Sequence, residues 1–375
     1  MSRTLGIGTV VRMTRDDVPR RPVSRLVSGL AAVAVALTPG AATLMAAPGE
    51  VPTVPPVGVE AWRADPRHLP DPVTMDPAAV RRFFDTLGAD EQRALAAAHP
   101  GVVGNLDGAP LWLRYEANRR LMARAGEPYR SQEGRFLLFD LRGQGTVAQV
   151  YGDLASARRI AVLVPGAGNR AGNFWRGVAG KALRSPALQG LGIAEEARRY
   201  GPAADGFAVV VWLGYDAPDG IDASAARADL ARAGAAALER FVAGLVAVRP
   251  QATLALLGYS YGSTVIGLAA HRLPGAVTDI AAFGSPGMGV DDAAGLRTTA
   301  RVWAGLSAHD VMRFVPGVRL HGLGHGRQPA DPAFGATRFA TGDVVDHDHY
   351  LALGTDSQAS LTRIALFGTD RQEEA

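Results

Sequence analysis

The 375-residue chain contains no cysteine. Disulfides, thiolate nucleophiles and cysteine-ligated metals are therefore excluded. So is a bacterial lipoprotein anchor, which needs a cysteine to acylate. Lysine is almost absent as well: Lys181 stands alone against many arginines. No His-Glu-x-x-His motif occurs, and no basic stripe with interleaved aromatics lies downstream of the N-terminus. Zinc-dependent hydrolysis and nucleic-acid binding find no support in such a pattern. No cofactor and no metal is expected. Long polar low-complexity tracts and solenoid-type repeats are also missing.

What is present is apolar: 47% of the residues are hydrophobic, enough for a large buried core. The formal charge of +3 is unevenly placed. Residues 1–42 hold Arg3, Arg12, Arg15, Arg20, Arg21 and Arg25 against Asp16 and Asp17, which leaves the remainder about −1. Leu26 to Ala47 then carries no charge. A basic run, an apolar run and the small-residue exit Thr38-Pro39-Gly40-Ala41-Ala42 describe a secretory signal cut after Ala42. An uncleaved anchor is the rival reading, and a start at Met13 would keep the same signal. Secretion or residence in the cell envelope is expected, with membrane or envelope association through the N-terminus. The sequence divides into a signal or anchor (1–47), a stiff proline-rich linker (48–59), a helical N-terminal part (60–130) and a catalytic domain (131–370).

Asp76-Pro77 opens a helix well, with an Asp cap and Pro at the first helical position. Glu91 to His99 and Leu111 to Ala125 read as further helices. The period then changes. Short apolar runs occur at Phe136–Leu141, Val147–Tyr151, Ile160–Val164, Phe207–Leu213, Leu254–Leu257, Ile280–Phe283 and Val302–Ala304. Helical or loop stretches alternate with the later runs, among them an alanine-rich helix from Asp222 to Val248. A final helix is expected near Ser360–Phe367. This alternation predicts an α/β fold: a mostly parallel sheet with helices on both faces, begun by an antiparallel pair.

Gly258-Tyr259-Ser260-Tyr261-Gly262 lies between the run 254–257 and a helical stretch. Gly-x-Ser-x-Gly at a strand-to-helix turn is the nucleophile elbow of the α/β-hydrolase fold. Ser260 is thus the candidate nucleophile. It needs a base to take its proton, and in this fold acid and base follow in the order Ser, Asp, His. Asp310, at the end of a late strand, is the expected acid; Asp291 and Asp292 are less well placed. Asp346-His347-Asp348-His349 offers two bases, and in an extended loop only one could reach Ser260. Asp346 and Asp348 could raise the basicity of a neighbouring imidazole. An oxyanion hole needs backbone N–H groups. Tyr261 should give one, and Ala167 or Gly168, in Pro165-Gly166-Ala167-Gly168-Asn169, the other. Tyr215 and Asp216, at the exit of the 207–213 run, are candidate substrate contacts. His321 and His325 invite a metal reading, but Gly322 and Gly324 argue against a helix that would align them.

The chain resembles the actinobacterial α/β-hydrolase family catalogued as domain of unknown function 1023, over about residues 80–367. The marks are Gly104-Asn105-Leu106-Asp107-Gly108, Arg114, Asn118-Arg119, Val164-Pro165-Gly166, Trp212 to Pro218 and Gly284-Ser285-Pro286-Gly287. Where the family commonly has Gly-His-Ser-Tyr-Gly, Tyr259 replaces the His. The resemblance implies a Ser-Asp-His hydrolase and carries over Ser260, Asp310 and, three positions before the aromatic Tyr350, His347. The expected activity is hydrolysis of an acyl ester or amide, on a small-molecule or lipid acyl substrate. An envelope acyltransferase using the same triad, or a non-catalytic envelope protein, is the alternative.

Overall fold

A computed structural model describes residues 55–221, 224–320 and 323–370. The expected signal or anchor, most of the proline-rich linker, Asp222 and His321 lie outside the described residues. Among the described residues no helix is long and apolar enough to cross a membrane.

The N-terminal part is helical: α1 Val59–Arg63, α2 Pro77–Asp85, α3 Ala89–Ala98, α4 Pro100–Val103 and α5 Leu111–Ala125. Local chemistry sets its boundaries. Asp76 accepts the Ala79 N–H at 2.7 Å, with Pro77 first in α2. Glu91 reaches back to the Gly88 N–H at 2.8 Å. Trp62, Phe84, Leu95, Val102 and Leu113 gather into an apolar cluster of their own. Helix α5 continues to the main core through Met122.

The sheet has β1 Arg135–Asp140, β2 Thr146–Gly152, β3 Arg159–Val164, β4 Phe207–Leu213, β5 Thr253–Tyr259, β6 Val277–Phe283, β7 Arg301–Gly305 and the two-residue β8 Thr337–Arg338. Their order is β1-β2-β4-β3-β5-β6-β7-β8. β2 runs antiparallel to both β1 and β4, and all other pairs are parallel. Helix α6 Pro186–Arg198 packs with the late helix α9 Asp356–Phe367; α7 Asp229–Val248 packs with α8 Tyr261–Ala269. The strands are continuous apolar runs because helices cover them on both sides. β4 is buried at every position.

Helix α7 begins later than its alanine-rich sequence suggests. The Tyr261 hydroxyl accepts the Ala231 N–H at 3.1 Å and donates to the Arg227 carbonyl at 2.7 Å. Arg227 also bridges to Leu323. The backbone before Asp229 is thereby held off the helix by a residue distant in sequence.

Side chains of the helical part seal the outer edge of β1. Asn105 accepts the Phe139 N–H at 2.8 Å and donates to its carbonyl at 3.2 Å, as a neighbouring strand would. Asn118 donates to the Phe136 carbonyl at 2.9 Å, and Arg114 donates to that of Leu137. Arg114 is buried and also pairs with Asp107 at 3.1 Å. These are residues that carried the family resemblance, and their work here is structural.

Candidate active site

Ser260 sits between β5 and α8 with φ 52° and ψ −125°. A non-glycine residue in that region costs on the order of 1–3 kcal/mol, held by its surroundings. The flanking glycines show what holds it. A Cβ on Gly262 would lie 2.2 Å from the Val164 carbonyl oxygen, and one on Gly258 would lie 2.6 Å from Ser263 Cα. The Ser260 N–H donates to the Phe283 carbonyl of β6 at 2.9 Å, which fixes the last ladder position.

His347 Nε2 lies 3.0 Å from Ser260 Oγ. Its Nδ1 lies 3.0 Å from both carboxylate oxygens of Asp310. Ser260, His347 and Asp310 thus form one hydrogen-bonded chain. Asp310 is fully buried behind β7. Burial alone would raise its carboxyl. Hydrogen bonds from His347, the Met312 N–H and the Tyr350 hydroxyl, together with the His347 charge, outweigh burial and hold it below the usual carboxylate value. Tyr350 donates to Asp310 at 2.7 Å and accepts the Ser307 N–H at 2.9 Å. Burial first, then the Asp310 charge, raises the Tyr350 hydroxyl and keeps it a donor. Gly284, at the exit of β6, leaves room for all of this. A Cβ there would meet Tyr350 at 2.9 Å and both Asp310 and His347 at 3.1 Å.

Tyr259 holds the base from the other side. Its hydroxyl donates to the His347 carbonyl at 2.7 Å, and the two rings lie 5.2 Å apart. The sequence marked Tyr259 only as a departure from the family pattern and Tyr350 only as a spacing guide. Aromatics beside a nucleophile and after a candidate base were the available signal.

The β3 exit loop presses on the serine: a Cβ on Gly166 would be 2.7 Å from Ser260 Cβ. The N–H groups of Tyr261 and Ala167 make no hydrogen bond among the described residues. Gly168 does not share that freedom. Its N–H donates to the Pro218 carbonyl at 2.6 Å, so it ties the β3 and β4 exits together instead of facing a ligand. Tyr215 is also corrected. It is buried, its hydroxyl donates to the Pro165 carbonyl at 2.6 Å, and its ring stacks between Trp212 and Tyr261. It supports the loop and touches no open space. Asp216 is exposed beside the Gly143 turn of the β1–β2 hairpin.

His349 bonds Asp346 at 2.5 Å and stays out of the chain. Asp348 pairs with Lys181 and Arg184. Both carboxylates thus hydrogen-bond or pair away from the His347 ring. Asp291 pairs with Arg319, and Asp292 caps a local turn at Gly295. His325 is buried edge-on to Tyr261, its Nε2 2.6 Å from the Ala225 carbonyl. Burial lowers its imidazole and favours the neutral form. No metal-binding group of three His, Asp or Glu side chains gathers among the described residues.

Residues 140–320 match the model of a family described as Alpha/beta hydrolase; that span holds Ser260 and Asp310. An uncharacterized protein of Mycobacterium tuberculosis is 27% identical over 385 residues, covering 80% of this chain and 57% of the relative. An uncharacterized protein of Mycobacterium bovis is 36% identical over 140 residues, covering 36% of this chain and 50% of the relative. The chain thus spans little more than half the length of these relatives. Among solved structures, an α/β serine hydrolase without lid from Xanthomonas campestris is 17% identical with a TM-score of 0.40, covering 64% of this chain and 98% of that one. Esterase PE8 is 16% identical with a TM-score of 0.39, covering 58% and 97%. The chain has the α/β-hydrolase fold. The family match and the sheet order agree on that fold.

Proposed function

We propose that the protein is a serine hydrolase that cleaves an acyl ester or amide through an acyl-serine intermediate. The supporting observation is the chain from Ser260 Oγ to His347 Nε2 at 3.0 Å and from His347 Nδ1 to Asp310 at 3.0 Å. In this reading His347 takes the Ser260 proton as Oγ attacks the substrate carbonyl. Asp310 holds the imidazole tautomer and stabilises the imidazolium. The Tyr261 and Ala167 N–H groups receive the oxyanion, each worth roughly 2.7–4 kcal/mol in the transition state. His347 then returns the proton to the leaving alcohol or amine. Water, activated by the same base, attacks the acyl-serine and releases the acid. Asp216, exposed at the β4 exit, is the remaining substrate contact from its loop.

We further infer membership of the family catalogued as domain of unknown function 1023, and export to the cell envelope or beyond. The first rests on the sequence marks, the second on the basic and apolar N-terminal runs. The chemistry is tested by fluorophosphonate labelling and a panel of acyl esters of varied chain length. Wild type should label and turn over, and Ser260→Ala should do neither while keeping its circular dichroism. Undiminished labelling of Ser260→Ala would remove Ser260 as nucleophile.

A further inference from the structure

A cavity of about 390 Å³ lies beside the loop that follows β7. Ser307, His309, Arg313, Arg338 and Thr341 are its polar walls, and no Asp or Glu lines it. Ser260, His347 and Asp310 do not line it either. The cavity sits toward β8, where Arg338 pairs in register with Ala304 of β7. β7 is two strands beyond β5, so the cavity lies on the order of 10 Å from the elbow in the sheet direction.

The charges in this cavity are unbalanced. The Arg338 guanidinium makes no hydrogen bond or ion pair among the described residues. Arg313 spends one N–H on the Ala308 carbonyl at 2.6 Å and lies over the Phe314 ring, which leaves its other donors open. The His309 ring also has no partner among the described residues. The neighbouring carboxylate of Asp343 is engaged with the Asp356 N–H at 2.9 Å. Elsewhere arginines are commonly paired, as Arg301 is with Asp279 and Arg142 with Asp140. Arg313 and Arg338 both line the cavity with no carboxylate among its lining residues, and an oxyanion placed between them would be attracted by both. The planar donor fork of arginine matches phosphoryl oxygens. The volume exceeds a bare oxyanion and admits a small organic group attached to it.

The geometry points to a binding site for a phosphomonoester, distinct from the Ser260 site and independent of it. Arg313 and Arg338 hold the phosphoryl oxygens, with Thr341 and His309 as further donors. The phosphate can belong to a free metabolite or to a lipid headgroup. Its bound position is against Ser307, whose N–H is tied through Tyr350 to Asp310.

The test is titration of the full chain with inorganic phosphate in low-chloride buffer, read by calorimetry and by 31P line broadening. In parallel, vesicles of phosphatidylcholine with and without phosphatidic acid are sedimented with the protein. Saturable phosphate binding is expected, weakened about tenfold or more in Arg338→Glu and in Arg313→Glu and unchanged in Arg124→Glu on the far end of α5. Capture by phosphatidic acid vesicles with the same pattern of variants would make a lipid headgroup the source. Phosphate binding without vesicle capture would make the source soluble. Ser260→Ala should bind as wild type does, which keeps this result separate from the hydrolase reading. Absence of saturation with either probe, or binding indifferent to both charge reversals, would overturn the site.

Discussion

The helical N-terminal part and the body around Ser260 are built by opposite means. In the helical part, each boundary is set within a few residues: Asp76 caps at Ala79, Glu91 folds back on Gly88, and Gly126 ends α5. Around Ser260, the contacts that matter join residues 37, 40, 87 and 88 positions apart. The first region can lose a contact and stay itself. The second exists only while parallel strands deliver their exits to one end of the sheet. Stability and reactivity should therefore separate between the two regions.

The sharpest test of that separation is the base. His347→Gln should lower single-turnover acylation by roughly 10⁴-fold or more, whereas His349→Gln should stay within a few fold. Loss in His349→Gln with retention in His347→Gln would put the wrong imidazole beside the serine. Next is the loop that presses on Ser260. Gly166→Ala adds a Cβ at 2.7 Å from Ser260 Cβ, and displacement of reacting atoms by about 1 Å costs on the order of 10²-fold. Near wild-type turnover in Gly166→Ala would mean the β3 exit is free to yield.

A smaller effect is expected one layer out. Tyr350→Phe removes a donor from Asp310 and leaves the Ser307 N–H without its acceptor, a loss of about 1–3 kcal/mol in stability. The sign with pH is fixed. Asp310 is held below the usual carboxylate value, so its stabilising contribution is complete above the unfolded value and disappears as pH falls through the folded one. In Tyr350→Phe the folded value rises and the contribution shrinks. The stability gap between the two proteins should narrow in acid, and a gap that widens there would contradict it. The smallest effect on turnover belongs to Leu113→Ala in the helical cluster. It should cost about 2–5 kcal/mol of stability yet change kcat per folded molecule less than twofold. Parallel loss of kcat would erase the division between the regions.

Much of this was legible in the sequence for a physical reason. Strands β3 to β7 are buried on both faces, so they stand out as short apolar runs, and the elbow needs glycine on both sides of Ser260. Helices α2 and α3 carry their own caps, and α5 stops at Gly126. What stayed hidden depends on distant partners. The start of α7 is set by the Tyr261 hydroxyl, and β8 is too short to show a period. Tyr215 and Gly168 sit where a substrate contact or oxyanion donor would be expected, but their donors are turned onto Pro165 and Pro218. Adjacency in sequence put Asp346 and Asp348 beside His347, while the fold sends them to His349, Lys181 and Arg184.

The asparagines that seal β1 bear on how the protein behaves in a crowd of its own copies. An open strand edge is a template on which another chain can add a strand, the first step toward aggregation. At the opposite edge, β8 is two residues long and carries Arg338, which makes it a poor template. At the β1 edge that protection comes from Asn105, Asn118 and Arg114, all borrowed from the helical part. The helical part therefore acts as a guard carried in the same chain. A sheet made without it would be expected to self-associate before its chemistry could be measured.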